Sequence, residues 1–147
     1  MFKSYDLWCE WANEQKGFMS LDVNNRVWAL DKDIVGDGTI YSEDVCVFVP
    51  CVINSLFKRS KRETTSYVGV FKESSKKKFK SAINMYGKHK HLGYFDTEIE
   101  AHLEYLKARK MFADNLFLEY GDTVDDRVWD SLFKSCEYSD IPDISKN

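Results

Sequence analysis

The spacing of apolar positions predicts short helices and strands in the first part of the chain. Residues 6–15 place apolar side chains at helical spacing and predict an amphipathic helix. Two extended runs, 28–34 and 39–41, flank a Gly-Asp-Gly turn and predict a β-hairpin. The β-branched run 45–49 predicts a strand, and a short helix is expected after Pro50. This part is therefore predicted to form a helix-hairpin-strand unit.

The pattern changes in the second half to three strands followed by a long helix. Strands are predicted at residues 67–72, 78–85 and 88–94, and their short turns favour an antiparallel meander. Thr97 and Glu100 have the spacing of a capping box, which predicts a helix start. Apolar residues on one face of this helix are Ala101, Tyr105, Ala108 and Phe112. That face is expected to cover the sheet.

The predicted fold class is α+β, with a basic linker between its two parts. Residues 58–65 have almost no apolar content and are predicted to be this linker. A final helix is predicted after Thr123, and the tail from Ser139 is expected to fray. The predicted divisions of the chain are residues 1–57, 58–65, 66–120 and 121–147.

Composition excludes a wholly disordered chain and a membrane-spanning one. The 147 residues are 44% hydrophobic and 15% aromatic, which suits one ordinary domain or two very small ones. The longest apolar run, residues 45–53, is far shorter than the ~20 residues that span a bilayer. No secretory signal is recognised, and the spacing of the four cysteines fits no zinc site. The protein is therefore expected in the cytoplasm, with no membrane partner and no cofactor.

Charge is concentrated in blocks along the chain. Residues 1–57 hold four Lys/Arg and nine Asp/Glu, a formal charge of −5. Residues 58–92 hold eleven and two, a charge of +9, and residues 93–147 hold six and thirteen, a charge of −7. A dense basic block between acidic flanks indicates contact with nucleic acid. A solvated, lysine-rich loop is the alternative interpretation.

The basic block and the helix after it carry a recognisable motif. Residues 67–70, 78–84 and 87–101, with Tyr105 four residues later, resemble the apetala-type (ethylene-response-factor) DNA-binding domain. The most specific stretch is LG-x-F-D-T-x-x-x-A at residues 92–101. The resemblance implies a three-stranded sheet, packed on a helix, that binds duplex DNA.

The flanking segments resemble a group of bacteriophage proteins described as HNH-endonuclease-like. The likeness lies in residues 28–34 and 41–54 and continues in the carboxy-terminal stretch to about Asp140. It implies a shortened phage protein in which residues 1–57 are a degenerate HNH-like segment and residues 66–120 the apetala-type domain. Localisation in the host cytoplasm follows from that origin.

The resemblance and the alternation of side chains together predict a DNA-binding surface. In the second strand Lys80 and Asn84 point to one side, and in the third His89 and His91 share a side, because side chains alternate with period two. The helix should cover the opposite side. The predicted DNA-binding residues are Lys72, Lys76, Lys77, Lys78, Lys80, Asn84, Lys88, His89 and His91.

The exposed sheet face departs from the family's pattern. The family reads bases with arginines and tryptophans, and the corresponding positions here are Val68, Phe71, Asn84, His89 and His91. Lysine and histidine are poorer bidentate partners of guanine than arginine. The departure weakens the expectation of sequence-specific recognition and leaves non-specific attraction to phosphate intact.

The HNH-like segment lacks the residue that nuclease chemistry needs. Such nucleases use a histidine base and a divalent metal, and Lys32 occupies the position of the base. Lysine is protonated at neutral pH and cannot accept the proton. Asp31, Asp33 and Asn54 are weak candidates for holding a metal. No catalytic residue is predicted.

Three functional hypotheses follow from these patterns. The first is a phage-encoded DNA-binding protein derived from a homing-endonuclease-like ancestor. The second is a phage protein-interaction factor that inhibits a host or defence protein, suggested by the acidic flanks and by four aromatic residues expected to be exposed, Trp8, Trp11, Phe133 and Tyr138. The third is an active metal-dependent HNH nuclease. Duplex DNA is the expected partner under the first, and the sequence sets no oligomeric state.

Overall fold

The computed structural model describes residues 2–58 and 65–138 and has the predicted α+β class. Its elements are α1 Tyr5–Glu14, β1 Ala29–Asp31, β2 Val47–Val49, α2 Cys51–Leu56, β3 Val70–Glu73, β4 Lys78–Met85, β5 Lys88–Phe95, α3 Glu98–Tyr120 and α4 Asp126–Lys134. No helix within the described ranges is long and apolar enough to cross a membrane. Most of the predicted linker and the whole predicted frayed tail lie outside the described residues.

The described residues form two compact units. Unit 1 consists of residues 2–57 and 116–134, and unit 2 of residue 58, residues 65–115 and residues 135–138. Helix α3 contributes its residues up to Asn115 to unit 2 and its last turn to unit 1.

Unit 1 consists of a small two-stranded antiparallel sheet and helices. Strands β1 and β2 pair antiparallel, with Leu30 opposite Phe48, and α2 follows directly after Pro50. The fully buried side chains of this unit include Val47, Val49, Ile53, Val124, Val128 and Leu132. The predicted final helix is α4, and two of these apolar residues lie on it.

The predicted hairpin around the Gly-Asp-Gly turn is wrong, because the strand partner of β1 is β2 and not residues 39–41. The Lys32 ammonium donates to the Gly38 carbonyl, and Asp37 accepts the backbone N–H and the hydroxyl of Thr39. These contacts close the segment into a compact loop. Pairing with β2 is favoured because every residue of β2 is buried, whereas residues 40–41 are exposed.

Unit 2 is the predicted three-stranded antiparallel sheet in the order β3-β4-β5, packed against α3. Ile83, Tyr105 and Leu106 form the centre of the interface. The partly buried residues around them are Val68, Met85, Leu92 and Ala108. The predicted sheet-helix pairing is thereby confirmed.

Local contacts determine where helix α3 and strand β3 begin. The Glu100 N–H donates to Thr97 Oγ1 (3.2 Å) and the Thr97 N–H donates to the Glu100 carboxylate (3.3 Å), which confirms the capping box. Strand β3 starts at Val70, later than predicted. Gly69 before it has φ +78° and lies directly on the Tyr105 ring, so the chain turns there instead of extending.

A β-bulge interrupts the pairing of β4 with β5. Ser81 pairs with Gly93 and Ala82 pairs with His91, so Leu92 is an extra residue in β5. Gly93 has φ +138°, a conformation that other residues rarely adopt. The bulge breaks the strict alternation of side chains along β5 and places Tyr94 on the same face as His91.

Candidate nucleic-acid interface

The face of the sheet opposite α3, called the free face below, collects the central residues of the predicted site. Its members are Phe71, Lys80, Asn84, His89, His91 and Tyr94. Directly paired residues of antiparallel strands project to the same face, and Asn84 pairs with His89 while Lys80 pairs with both Phe71 and Tyr94. The structure thus brings together four predicted residues from two strands and adds two aromatic rings.

Ring contacts confirm this common face. The Phe71 and His89 ring centroids are 6.1 Å apart, and those of His91 and Tyr94 are 4.7 Å apart. The Lys80 ammonium lies 6.0 Å from the centroid of the Phe71 ring. The free face is therefore a mixed surface of cations, imidazoles and aromatic rings.

The lysines of the β3–β4 turn differ in their availability to an anion. Lys76 and Lys77 are exposed, and the Lys76 ammonium lies 3.9 Å from the centroid of the Tyr94 ring. Lys78 donates to Asp96 at 2.7 Å, which offsets part of its charge. Of these three side chains, Lys76 is the one seen to extend over the free face.

Two of the predicted DNA-binding residues, Lys72 and Lys88, project from the face of the sheet that packs against α3. Lys72 pairs with Phe79, and Lys88 pairs with Met85, which packs against the interface with α3. Lys72 also lines an open pocket of about 360 Å³ at the end of the β3–β4 hairpin. Both lysines belong to the basic surroundings of the sheet, and neither belongs to the free face.

Tyr94 is the site residue that the sequence pattern missed. Strict alternation along β5 would place it on the side of Leu92, under α3, whereas the bulge turns it onto the free face. The available signal was Gly93, because a glycine inside a strand pattern often marks a bulge.

Two of the three predicted metal candidates, Asp31 and Asp33, hold a turn together, and the third lies in a helix. Asp31 accepts the backbone N–H groups of Asp33 (2.7 Å) and Ile34 (2.8 Å), and Asp33 accepts the Lys32 ammonium (2.9 Å). Asn54 lies within α2, where its N–H donates to the Pro50 carbonyl (3.1 Å). Among the described residues no group of three His, Cys, Asp or Glu side chains could hold a metal ion.

Lys32, the residue predicted from the HNH resemblance to stand in place of the base, is unsuited to accept a proton. The hydrogen bond to Asp33 raises the pKa of Lys32 above its ordinary value. The side chain is therefore an ammonium at neutral pH and has no lone pair with which to accept a proton from water.

We expect the purified protein, with magnesium or manganese, to cut plasmid DNA no faster than buffer alone. Lys32 cannot act as the base, and its neighbouring carboxylates are bonded within the turn. The rate of cleavage is measured on a gel as the conversion of supercoiled plasmid to nicked plasmid. Cleavage that the changes Asp31→Ala or Asn54→Ala abolish would contradict the expectation.

Comparison of the chain with protein-family models, with curated proteins and with solved structures finds no match.

Proposed function

We propose that the protein binds duplex DNA through the free face of its three-stranded sheet. The observation that carries the proposal is the juxtaposition of Lys80, Asn84, His89 and His91 on a sheet face that α3 leaves uncovered. The surrounding segment, residues 58–92, has a formal charge of +9. A polar and basic surface of this kind matches the needs of a DNA-binding face.

The physical basis is attraction to phosphate, with base contacts at the centre of the face. Each lysine that contacts a phosphate releases condensed counterions, so binding weakens as salt rises. The major groove is wide enough to admit a pair of β-strands, and an asparagine on such strands can pair with adenine. Asn84, exposed opposite His89, is the residue placed for such a contact.

We further propose that residues 1–57 derive from an HNH-endonuclease-like phage ancestor and have lost their catalytic role. The order β1, β2, α2 supports this origin, because nucleases of the HNH class are built on a strand-strand-helix unit that holds a metal. Lys32, hydrogen-bonded to Asp33, supports the loss of activity. On this proposal the segment remains as scaffold.

A fluorescence-anisotropy titration tests the main proposal. The full chain is titrated into a labelled random-sequence duplex at several salt concentrations. We expect saturable binding at low salt, with log affinity falling linearly against log salt concentration. Absence of binding at the lowest salt would contradict the proposal.

A second candidate, a protein-interaction factor, is favoured by exposed apolar residues in unit 1. The expected exposure of Trp8, Trp11 and Phe133 is wrong, because these rings are partly buried against other aromatic rings, whereas Tyr138 is exposed. Leu21 and Val27 lie opposite each other in a β-bridge and are each 56% exposed, and Met19 and Val23 nearby are 64% and 79% exposed. Clusters of large exposed apolar side chains often mark protein-protein contacts. This candidate takes precedence if the titration detects no salt-dependent duplex binding.

A further inference from the structure

Two aromatic rings lie on the free face on either side of Lys80. Phe71 on β3 and Tyr94 on β5 both pair directly with this lysine on β4. Adjacent strands lie about 4.8 Å apart, so the two aromatic residues are separated by roughly 10 Å across the sheet. Tyr94 is 37% exposed and Phe71 is half-buried.

Each ring has a cation near its face. The Lys76 ammonium lies 3.9 Å from the centroid of the Tyr94 ring, and the Lys80 ammonium 6.0 Å from that of Phe71. Each ring thus has a lysine on one side and a histidine against it, and both are partly exposed to solvent. The ammonium of a lysine is on a flexible stem and can exchange a ring for a phosphate.

An intact duplex offers such rings only base edges, such as the thymine methyl group, because its base faces are stacked inside the helix. It offers phosphates and base edges, which lysines and Asn84 can bind. An unpaired base, in contrast, presents its flat face, and proteins bind unpaired bases by stacking them on aromatic side chains beside a basic surface. The arrangement of Phe71 and Tyr94 among lysines has these two components.

We propose that the free face binds DNA that contains locally unpaired bases, which stack on Tyr94 and Phe71 while Lys76 and Lys80 hold the adjoining phosphates. This inference rests on the proposed function, since the same face must bind DNA. The preferred substrate is duplex DNA with a bubble or a single-stranded segment. Lys76 leaves the Tyr94 ring for a phosphate as the base takes its place.

The test compares two labelled probes of equal length that share one strand. One probe is fully paired, and the other has a central mismatched bubble. Wild-type protein is expected to bind the bubble probe at least about fivefold more tightly, the lower end of the effect of one stacked base. Tyr94→Leu should reduce that preference, because only the Phe71 ring remains, and Tyr94→Phe, which keeps the ring, should retain it in full. Tyr5→Leu is the control, because Tyr5 is an exposed tyrosine of unit 1.

A second measurement uses the wild-type protein alone and so does not depend on the folding of a variant. The bubble carries 2-aminopurine, whose fluorescence falls when the base stacks. We expect the intensity to fall as wild-type protein binds, and an unchanged or increased intensity would overturn the inference.

The remaining outcomes separate this inference from the proposed function. Equal affinity for the two probes, or a bubble preference that is as large in Tyr94→Leu as in wild type, overturns the inference and leaves duplex binding in place. Failure to bind either probe at low salt overturns both.

Discussion

The triple change Lys76→Ala, Lys77→Ala and Lys80→Ala is expected to flatten the salt dependence of duplex binding. Each lysine-phosphate contact on B-DNA contributes about 0.9 to the slope of log affinity against log salt, so three contacts account for up to ~2.7. Lys76 and Lys80 stand beside the rings of the free face, and Lys77 is exposed in the adjoining turn. Anisotropy titrations of wild type and variant at four or more salt concentrations measure the change.

A second triple variant provides a matched control. Lys72, Lys88 and Lys90 pair with Phe79, Met85 and Ile83, the side of the sheet that α3 covers. Replacing these three lysines with alanine removes the same charge from the same unit. We expect the slope to change by less than about 1 unit, since contacts to phosphate require the correct face. Equal flattening by the two triple variants would show that the free face has no special role.

Lys78 is left out of the first variant for a structural reason. Its ammonium is bound to Asp96 at 2.7 Å, and both side chains are substantially exposed. Contact with a phosphate would have to compete with this carboxylate. The sequence predicted the same role for Lys76, Lys77, Lys78 and Lys80. In the structure the Lys78 ammonium is already bound to a carboxylate, whereas those of Lys76 and Lys80 lie near aromatic rings of the free face.

The predictable part of the fold lay in local patterns. The capping box at Thr97 and the apolar spacing of α3 are signals contained within a few turns of one helix. The partner of β1 was not predictable in this way, because strand pairing depends on which distant segment buries the most apolar surface. Val47–Val49 is fully buried and residues 40–41 are exposed, which decides the pairing.

The candidate site was predictable up to the bulge and not beyond it. Alternation correctly groups Lys80 with Asn84, and His89 with His91, since each pair lies within a regular stretch of strand. One extra residue at Leu92 reverses the alternation for everything after it. Tyr94 therefore moves to the free face by a change of register that period-two counting cannot detect.

Gly69→Ala is expected to destabilise unit 2 strongly. Gly69 has φ +78°, a backbone conformation that costs a residue with a side chain about 1–2 kcal/mol. A Cβ there would also lie 2.1 Å from the Tyr105 ring, which is held in the core by Ile83 and Leu106. Relieving such a clash in a packed core costs a further ~1–3 kcal/mol, so the free energy of unfolding should fall by about 2–5 kcal/mol.

Gly87→Ala separates the steric part of this loss from the backbone part. Gly87 has nearly the same φ, +75°, and a Cβ at this position would meet no atom within 4 Å. Its replacement should therefore cost only the backbone term, about 1–2 kcal/mol. Thermal and urea unfolding of both variants, followed by circular dichroism, measure the difference. Equal losses would mean that the Tyr105 ring moves aside freely and that the close contact with Gly69 does not fix where α3 packs on the sheet.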